Sequence, residues 1–187
     1  MTRRSLFLLC ALFAGPALAH VTPPVLLVSD RDAISGLLGG AKRYFVREVR
    51  LTPAERQGIE RETGWTPDED FYRFYIGRDE NQRDLGAVTF LTEYTMHGPV
   101  RVAVALQPDG KVKGAKVAEV SEETYPWVKS LIDRNFLSTL AGHDPHVPFA
   151  SPGARGSMPR FYGEVITSLV RRAALLYEAG VLKREHK

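Results

Sequence analysis

The stretch that decides the fold is HGPVRVAVALQPDGKVKGAKVAEVSE, residues His97 to Glu122. Between Val100 and Gln107 the valines and Leu106 alternate with Arg101 and smaller or polar residues, a period of two that is typical of a half-buried strand. Pro108-Asp109-Gly110-Lys111 is a turn signal, because proline and glycine favour the backbone angles of a tight turn. Val112 to Val120 then returns as the partner strand. The segment predicts an antiparallel β-hairpin.

Two further strands and a helix are predicted before the hairpin. Phe71 to Ile76 alternates aromatic and polar residues, as an edge strand does, and Leu85 to Thr95 is rich in β-branched and aromatic residues. Upstream of them, Thr52-Pro53-Ala54-Glu55 forms a capping box with proline at the first helical position. Gly64 is the expected end of this short polar surface helix, with Ile59 as its main apolar contact.

After the hairpin the period becomes helical. Trp127 to Leu140 carries apolar residues at helical spacing, and Gly142 is expected to close it. His143 to Arg160 contains four prolines and predicts a long loop, which in compact domains is often functional. Ile166 to about Leu182 predicts an amphipathic final helix. The fold class expected is therefore α+β, a small and mostly antiparallel sheet with packed helices.

The N-terminus has the order of a secretory signal peptide. Arg3 and Arg4 precede an apolar run from Leu6 to Ala14, and Ala17-Leu18-Ala19 is an A-x-A cleavage site. An uncleaved anchor is the alternative, but nine apolar residues are about half of the roughly 20 that a membrane span needs. We expect cleavage after Ala19, a periplasmic or secreted protein, a lead-in segment over 20–42 and one domain over 43–187.

Removing the expected signal peptide changes the charge balance. The whole chain has 187 residues, a formal charge of +3 and one cysteine. Without residues 1–19 there remain 168 residues (187 less 19) with 23 Lys+Arg against 22 Asp+Glu, no cysteine and a charge of +1. A near-neutral chain without a basic cluster argues against a nucleic-acid partner. A chain without thiols suits an oxidising compartment.

No motif of hydrolysis is found. G-x-S-x-G, H-E-x-x-H and P-loop patterns are all absent from the sequence. Cleavage after Ala19 would leave His20 as an N-terminal copper chelate with a second histidine, which is a minor hypothesis. His143-Asp144-Pro145-His146 is interpreted as a solvated loop, because the proline prevents helical pairing of two ligands. No metal ligands are therefore assigned.

Several segments together resemble the FMN-binding domain family, which includes the periplasmic flavin-carrying subunits of the Rnf and Nqr electron-transport complexes. The hairpin of His97 to Glu122 is one of them. The segment FLSTLAG, Phe136 to Gly142, matches the end of the family's next helix, and LTPAERQGIERETG, Leu51 to Gly64, is similar to the first helix of single-domain members. The resemblance spans roughly residues 43–179.

In that family the threonine of a Ser-Gly-Ala-Thr box at the start of the last helix carries FMN through a phosphoester bond. The corresponding segment here is Tyr162-Gly163-Glu164-Val165-Ile166-Thr167-Ser168. Val165 stands at the acceptor position and has no hydroxyl, so the usual phosphoester cannot form there. Glu164 would place a negative charge beside a phosphate. Thr167, two positions on, is left open as a substitute acceptor.

The resemblance therefore implies non-covalent FMN in an extracytoplasmic electron-transfer protein rather than a substrate-specific enzyme. Redox proteins would be its partners, with possible association with the outer face of the cytoplasmic membrane. Gly163, Thr167 and Ser168 would hold the phosphate at a helix N-terminus. The aromatic candidates to face the ring are Tyr94, Tyr125, Trp127, Phe161 and Tyr162. The alternative is a cofactor-free interaction or assembly module in which Tyr162 fills the space of the ring.

Overall fold

The computed structural model describes residues 23–150, 152–153 and 155–185, with side chains as far as residue 184. The expected signal peptide and His20 lie outside the described residues. Six strands are present: β1 Pro24–Leu26, β2 Arg43–Val49, β3 Tyr72–Arg78, β4 Asp84–Thr95, β5 Gly98–Leu106 and β6 Val112–Ser121. The main helices are α1 Asp30–Leu37, α2 Pro53–Thr63, α3 Tyr125–Asp133 and α4 Met158–Tyr177.

The strands form one antiparallel sheet in the order β1-β6-β5-β4-β3-β2. The α+β fold class is thereby confirmed. The predicted hairpin is also confirmed, since β5 and β6 pair from Val100↔Val120 to Leu106↔Val112. Its turn needs Gly110, which has a φ of +91°. β1 and α1, which lie within residues 20–42, pair with β6 and pack on β5 and β6.

Helices cover both faces of the sheet. The larger core lies between the sheet and α4, and it includes Val102 and Val104. A smaller core on the other face joins Ala103 and Ala105 to α1. The prediction that β5 is buried on one face only is therefore wrong. Small alanine side chains let α1 approach closely enough to exclude water, so polar residues are not needed on that face.

The edge of the sheet also differs from the prediction. β3 is not an edge strand, because β2 pairs with its outer side along all seven residues of β2. Local alternation of aromatic and polar residues was the only signal for an edge. It does not distinguish an edge strand from an inner strand whose exposed face carries tyrosine and arginine.

The helices after the hairpin begin and end elsewhere than expected. The helix predicted over Trp127–Leu140 is α3 followed by a separate 3-10 helix, Phe136–Leu140, because Asn135 adopts left-handed angles (φ +57°). The last helix begins at Met158, not near Ile166. Ser157 caps it by accepting a hydrogen bond from the Arg160 N–H, and Pro159 fits its first turn. A π-helical turn, Glu178–Leu182, and the short α5, Lys183–Glu185, follow α4.

The predicted α2 is confirmed in detail. The hydroxyl of Thr52 accepts from the Glu55 N–H at 3.3 Å, and the Glu55 carboxylate accepts from the Thr52 N–H at 2.7 Å. Gly64 ends the helix in the left-handed conformation, and Ile59 is its buried residue. Within the described ranges, no helix is both long and apolar enough to cross a bilayer.

Candidate functional site

Three of the predicted site residues, Tyr162, Gly163 and Thr167, lie on the buried face of α4. Tyr162 is fully buried, and its hydroxyl lies 3.3 Å from those of Thr95 and Thr124. Its ring stacks on Trp127 with centroids 5.6 Å apart. Thr167 is also buried and donates to the Glu164 carbonyl at 2.9 Å. These side chains face the protein core.

The helix N-terminus does not fall where the sequence placed it. α4 begins at Met158, so Gly163 to Ser168 lie in its second and third turns, where main-chain N–H groups bond within the helix. A Cβ on Gly163 would lie 2.1 Å from Cγ of Pro152, which shows how closely the preceding loop packs there. The N-terminus of α4 is formed instead by Ser157-Met158-Pro159-Arg160.

Four other predicted residues share one surface groove, which we call the helix groove. Tyr94, Glu164, Val165 and Ser168 line this cavity of about 320 Å³ between α4 and the end of β4. Tyr94 is 81% exposed. The carboxylate of Glu164 accepts from Nε of Arg160 at 2.9 Å, so its charge is paired. The remaining lining residues are Glu93, Thr95, Phe161 and Arg172.

Tyr125 does not line the helix groove. It lines a separate cavity of about 500 Å³ between α3 and the segment after β1, together with Leu27 and Lys116. Tyr125 was grouped with the others only through the family resemblance, which does not fix its location in space.

A larger cleft adjoins the helix groove, and sequence reasoning missed it. We call it the strand cleft. β3 and β4 are paired only from Tyr75↔Val88 onward, whereas β4 continues to Thr95, so the two strands separate and leave a cavity of about 530 Å³. Six aromatic rings line it: Trp65, Phe71, Tyr72, Tyr75, Phe90 and Tyr94. The alternation at Phe71–Ile76 was the only sequence signal for these rings.

Main-chain groups of β4 face the strand cleft. Thr95 pairs with Gly98 across the turn to β5, so alternation directs the N–H and C=O of Phe90, Thr92 and Tyr94 away from β5. Pro99 stands opposite Tyr94 and has no N–H to offer, which agrees with this assignment. β3 does not pair with this part of β4. The cleft therefore presents main-chain donors and acceptors beside aromatic walls.

One arginine of the cleft is fixed by a carboxylate from α1. Arg101 donates to both carboxylate oxygens of Asp30, at 2.5 and 2.9 Å. Its guanidinium lies 4.4 Å from the centroid of the Phe90 ring, a cation–π contact. The hydrogen bonds from Arg101 lower the pKa of the Asp30 carboxyl, and those to Asp30 raise the pKa of Arg101. Both groups are held in their charged forms.

Another arginine of the cleft comes from α4 and lies where the two cavities meet. Arg172 pairs with Glu93, and its guanidinium lies 5.0 Å from the Trp65 ring centroid. Its Nε is buried and has no hydrogen-bond partner among the described residues. Glu93, Tyr94 and Arg172 line both the helix groove and the strand cleft, so the two form one continuous depression.

No group of three or more His, Cys, Asp or Glu side chains is arranged to hold a metal ion in the part of the chain that the structure describes. His143 stacks on Phe149, and His146 is hydrogen-bonded to Glu62 and Glu178. No protein-family model, curated protein or solved structure matches this chain. The fold and the continuous depression define an α+β protein with a site built from aromatic rings, arginines and carboxylates.

Proposed function

We propose that this protein binds a flavin of the FMN type non-covalently and serves in extracytoplasmic electron transfer. The observation that carries the proposal is the strand cleft, where aromatic rings line a cavity of about 530 Å³ beside main-chain groups of β4 that pair with no described strand. The isoalloxazine ring is planar and carries its hydrogen-bonding atoms along one edge. Such a ring can stack on aromatic side chains while its edge meets main-chain N–H and C=O groups.

The arginines suit the anionic part of such a ligand. The buried Nε of Arg172 retains a donor without a protein partner among the described residues, and Arg172 lies between the two cavities. A cation near a bound flavin stabilises its reduced, anionic form, which raises the reduction potential. Arg101 already donates to both carboxylate oxygens of Asp30, so it would mainly form part of the wall of the strand cleft. The exposed rim at Tyr94 leaves an approach for redox partner proteins.

Covalent attachment is not part of the proposal. Val165, which the resemblance aligns with the acceptor threonine, lacks a hydroxyl. The Thr167 hydroxyl is buried and bound to the Glu164 carbonyl, so a phosphate could reach it only after α4 moved. Mass spectrometry of the intact protein should therefore give the mass of the unmodified polypeptide.

A cofactor-free interaction module is the second candidate. The buried Tyr162 favours it, because this ring fills space beneath α4, stacks on Trp127 and has its hydroxyl within reach of two threonines. In this role the fold would be complete without a ligand. The exposed Tyr94 and Met96 would then belong to a protein-binding surface.

Titration with FMN separates the two candidates. We expect quenching of flavin fluorescence and a shifted absorption band on addition of purified protein. Tyr94→Ala should raise the dissociation constant about three- to tenfold, since one stacked aromatic pair contributes roughly 0.5–1.5 kcal/mol. Tyr44→Ala is the matched control, because Tyr44 is an exposed tyrosine on β2 that does not line the cleft.

Two results would decide against the flavin proposal. Neither bound flavin in the purified protein nor any quenching on titration would support the cofactor-free module. Equal weakening by Tyr94→Ala and Tyr44→Ala would show that any binding lies outside the strand cleft. Riboflavin, which lacks the phosphate, should bind less tightly than FMN if Arg172 contacts the anion, and Arg172→Gln should remove that difference.

A further inference from the structure

The outer edge of β2 is not paired with any strand among the described residues. β2 is the last strand in the sheet order, and its other side pairs with β3. Tyr44, Phe45 and Val46 are 44%, 42% and 59% exposed. Protected edges usually carry a proline, a bulge or very few residues. β2 has seven residues, no proline and an unbroken register with β3.

The direction of the main-chain groups on β2 follows from its pairing. The Lys42 N–H donates to the Arg78 carbonyl at 2.7 Å, so that carbonyl points toward β2. Alternation along β3 then directs the groups of Phe74 and Ile76 toward β2 as well, where they meet Arg47 and Phe45. The N–H and C=O groups of the intervening residues Tyr44, Val46 and Glu48 therefore point away from the sheet.

We infer that β2 pairs antiparallel with β2 of a second copy of this chain, with the two-fold axis at Val46. The pairing joins the two six-stranded sheets edge to edge. An isologous contact of this kind closes on itself and produces a dimer rather than a fibre. The open edge is then covered in both copies.

Overlap selects the register. Outward-facing residues must meet outward-facing residues, which allows an axis at Phe45, Val46 or Arg47. An axis at Phe45 or at Arg47 pairs only five residues of each strand and two of its three outward-facing residues. An axis at Val46 pairs all seven residues of the strand and brings all three outward-facing residues opposite one another.

The side chains fit this register. Val46 meets Val46 of the second copy, and Tyr44 lies opposite Glu48 on the same face. On the other face Phe45 lies opposite Arg47. About six main-chain hydrogen bonds form between the three outward-facing residues of each copy. Apolar exposure, main-chain direction and strand overlap thus agree on a second copy as the partner.

Sedimentation of the purified protein tests the pairing. We expect a concentration-dependent dimer in the wild type. Val46→Pro should raise the dimer dissociation constant about thirtyfold, because it removes both central hydrogen bonds and leaves the β2–β3 bonds intact. Val46→Thr is the matched control, since it keeps the N–H, and should still form the dimer. A protein that stays monomeric at all concentrations, or a dimer unchanged in Val46→Pro, overturns the inference.

Cysteine crosslinking tests the register in a Cys10→Ser background. Paired residues on hydrogen-bonded antiparallel strands have Cα atoms about 5.5 Å apart, within the range of a disulfide. Val46→Cys should therefore crosslink to itself, and Tyr44→Cys should crosslink to Glu48→Cys when the two are mixed. Efficient crosslinking of Tyr44→Cys to itself would overturn the register. The strand cleft lies on the other side of β3, so this dimer and flavin binding can fail independently.

Discussion

The ring of Tyr162 lies nearly parallel to that of Trp127, at a centroid distance of 5.6 Å and an interplanar angle of 12°. The ring of His97 also meets the Trp127 ring edge-on, with centroids 5.2 Å apart. His97 belongs to the β4–β5 turn, Trp127 to α3 and Tyr162 to α4. The stack therefore ties three elements together at one end of the sheet.

Tyr162 should be a principal stabilising residue. Tyr162→Phe removes only the hydroxyl contacts with Thr95 and Thr124, and both threonines keep main-chain carbonyl acceptors. We expect it to lower the unfolding free energy by about 1 kcal/mol. Tyr162→Ala should cost about 3–5 kcal/mol, because it also opens a cavity in the core. Urea denaturation followed by tryptophan fluorescence gives both values. Equal effects of the two variants would contradict this role for the ring.

Alanine substitution should destabilise the fold at two helical glycines and stabilise it at a third. A Cβ on Gly180 would lie 2.0 Å from Cγ1 of Val49, and one on Gly163 would lie 2.1 Å from Cγ of Pro152. Gly180→Ala and Gly163→Ala should each destabilise the fold by about 1–3 kcal/mol through overpacking. Gly58 in α2 has nothing within 4 Å of the added atom. Gly58→Ala should stabilise by about 0.5–1 kcal/mol, as the helix propensities predict. Thermal melting of the three variants checks the signs.

His146 should make stability depend on pH. Its Nδ1 lies 2.8 Å from Glu62 and its Nε2 2.8 Å from Glu178, while Arg171 and Lys183 pair with the same two carboxylates. The hydrogen bond to Glu178, the largest favourable cause, raises the pKa of His146 above its ordinary value of 6.5. Because the folded pKa is raised, the stabilisation is full below about pH 6.5 and is lost as the pH rises through the folded-state value.

Solvent exposure limits the size of the His146 effect, and protonation of Glu178 sets its lower pH limit. The His146 side chain is 50% exposed, so solvent screening limits its contribution to at most about 1 kcal/mol. Burial raises the pKa of Glu178, but its hydrogen bonds with Lys183 and His146 outweigh burial and lower the pKa below the ordinary value of 4.5. The contribution of Glu178 to stability is therefore lost in acid. Unfolding free energies of wild type and His146→Gln should differ most near pH 5–6 and converge near pH 9. A constant difference across that range would rule out titration of His146 as the cause.

Asp30 should contribute at neutral pH and lose its effect in acid. Hydrogen bonds from Arg101 lower the pKa of its carboxyl below the ordinary value of 3.8. Since the folded pKa is depressed, the stabilisation is present above about pH 4 and disappears as the pH falls through the folded-state value. Asp30→Asn should cost about 0.5–1 kcal/mol at pH 7, a modest amount because half of the Asp30 side chain is exposed. Denaturation at pH 7 and pH 2.5 should show the difference only at pH 7.

Local features of the chain were predicted well. The capping box at Thr52 and Glu55, the stop at Gly64 and the β5–β6 hairpin around Gly110 depend on residues close in sequence, so the sequence alone carries their signal. Boundaries that depend on one unusual backbone conformation were missed. The left-handed Asn135 and the Ser157 cap are examples, because neither alters the apolar period from which the helices were predicted.

The candidate site was predicted only in part. The sequence identified Tyr94, Glu164, Val165 and Ser168, which do line one groove. It also included Tyr162, whose burial is visible only once α3 and α4 are packed together. It missed Trp65, Phe90 and Arg172, because these residues lie far apart in the chain and meet only where β3 separates from β4.

The sequence by itself determined the α+β class, the central hairpin and the capped polar helix, since side-chain period and end-capping act over a few residues. The tertiary structure decided three further features. β2 rather than β3 is an edge strand, β5 is covered on both faces, and β3 and β4 separate to form the strand cleft. Each of these depends on which distant segment pairs with or covers a strand. Such contacts are set by the free energy of the whole packed chain, which no local pattern records.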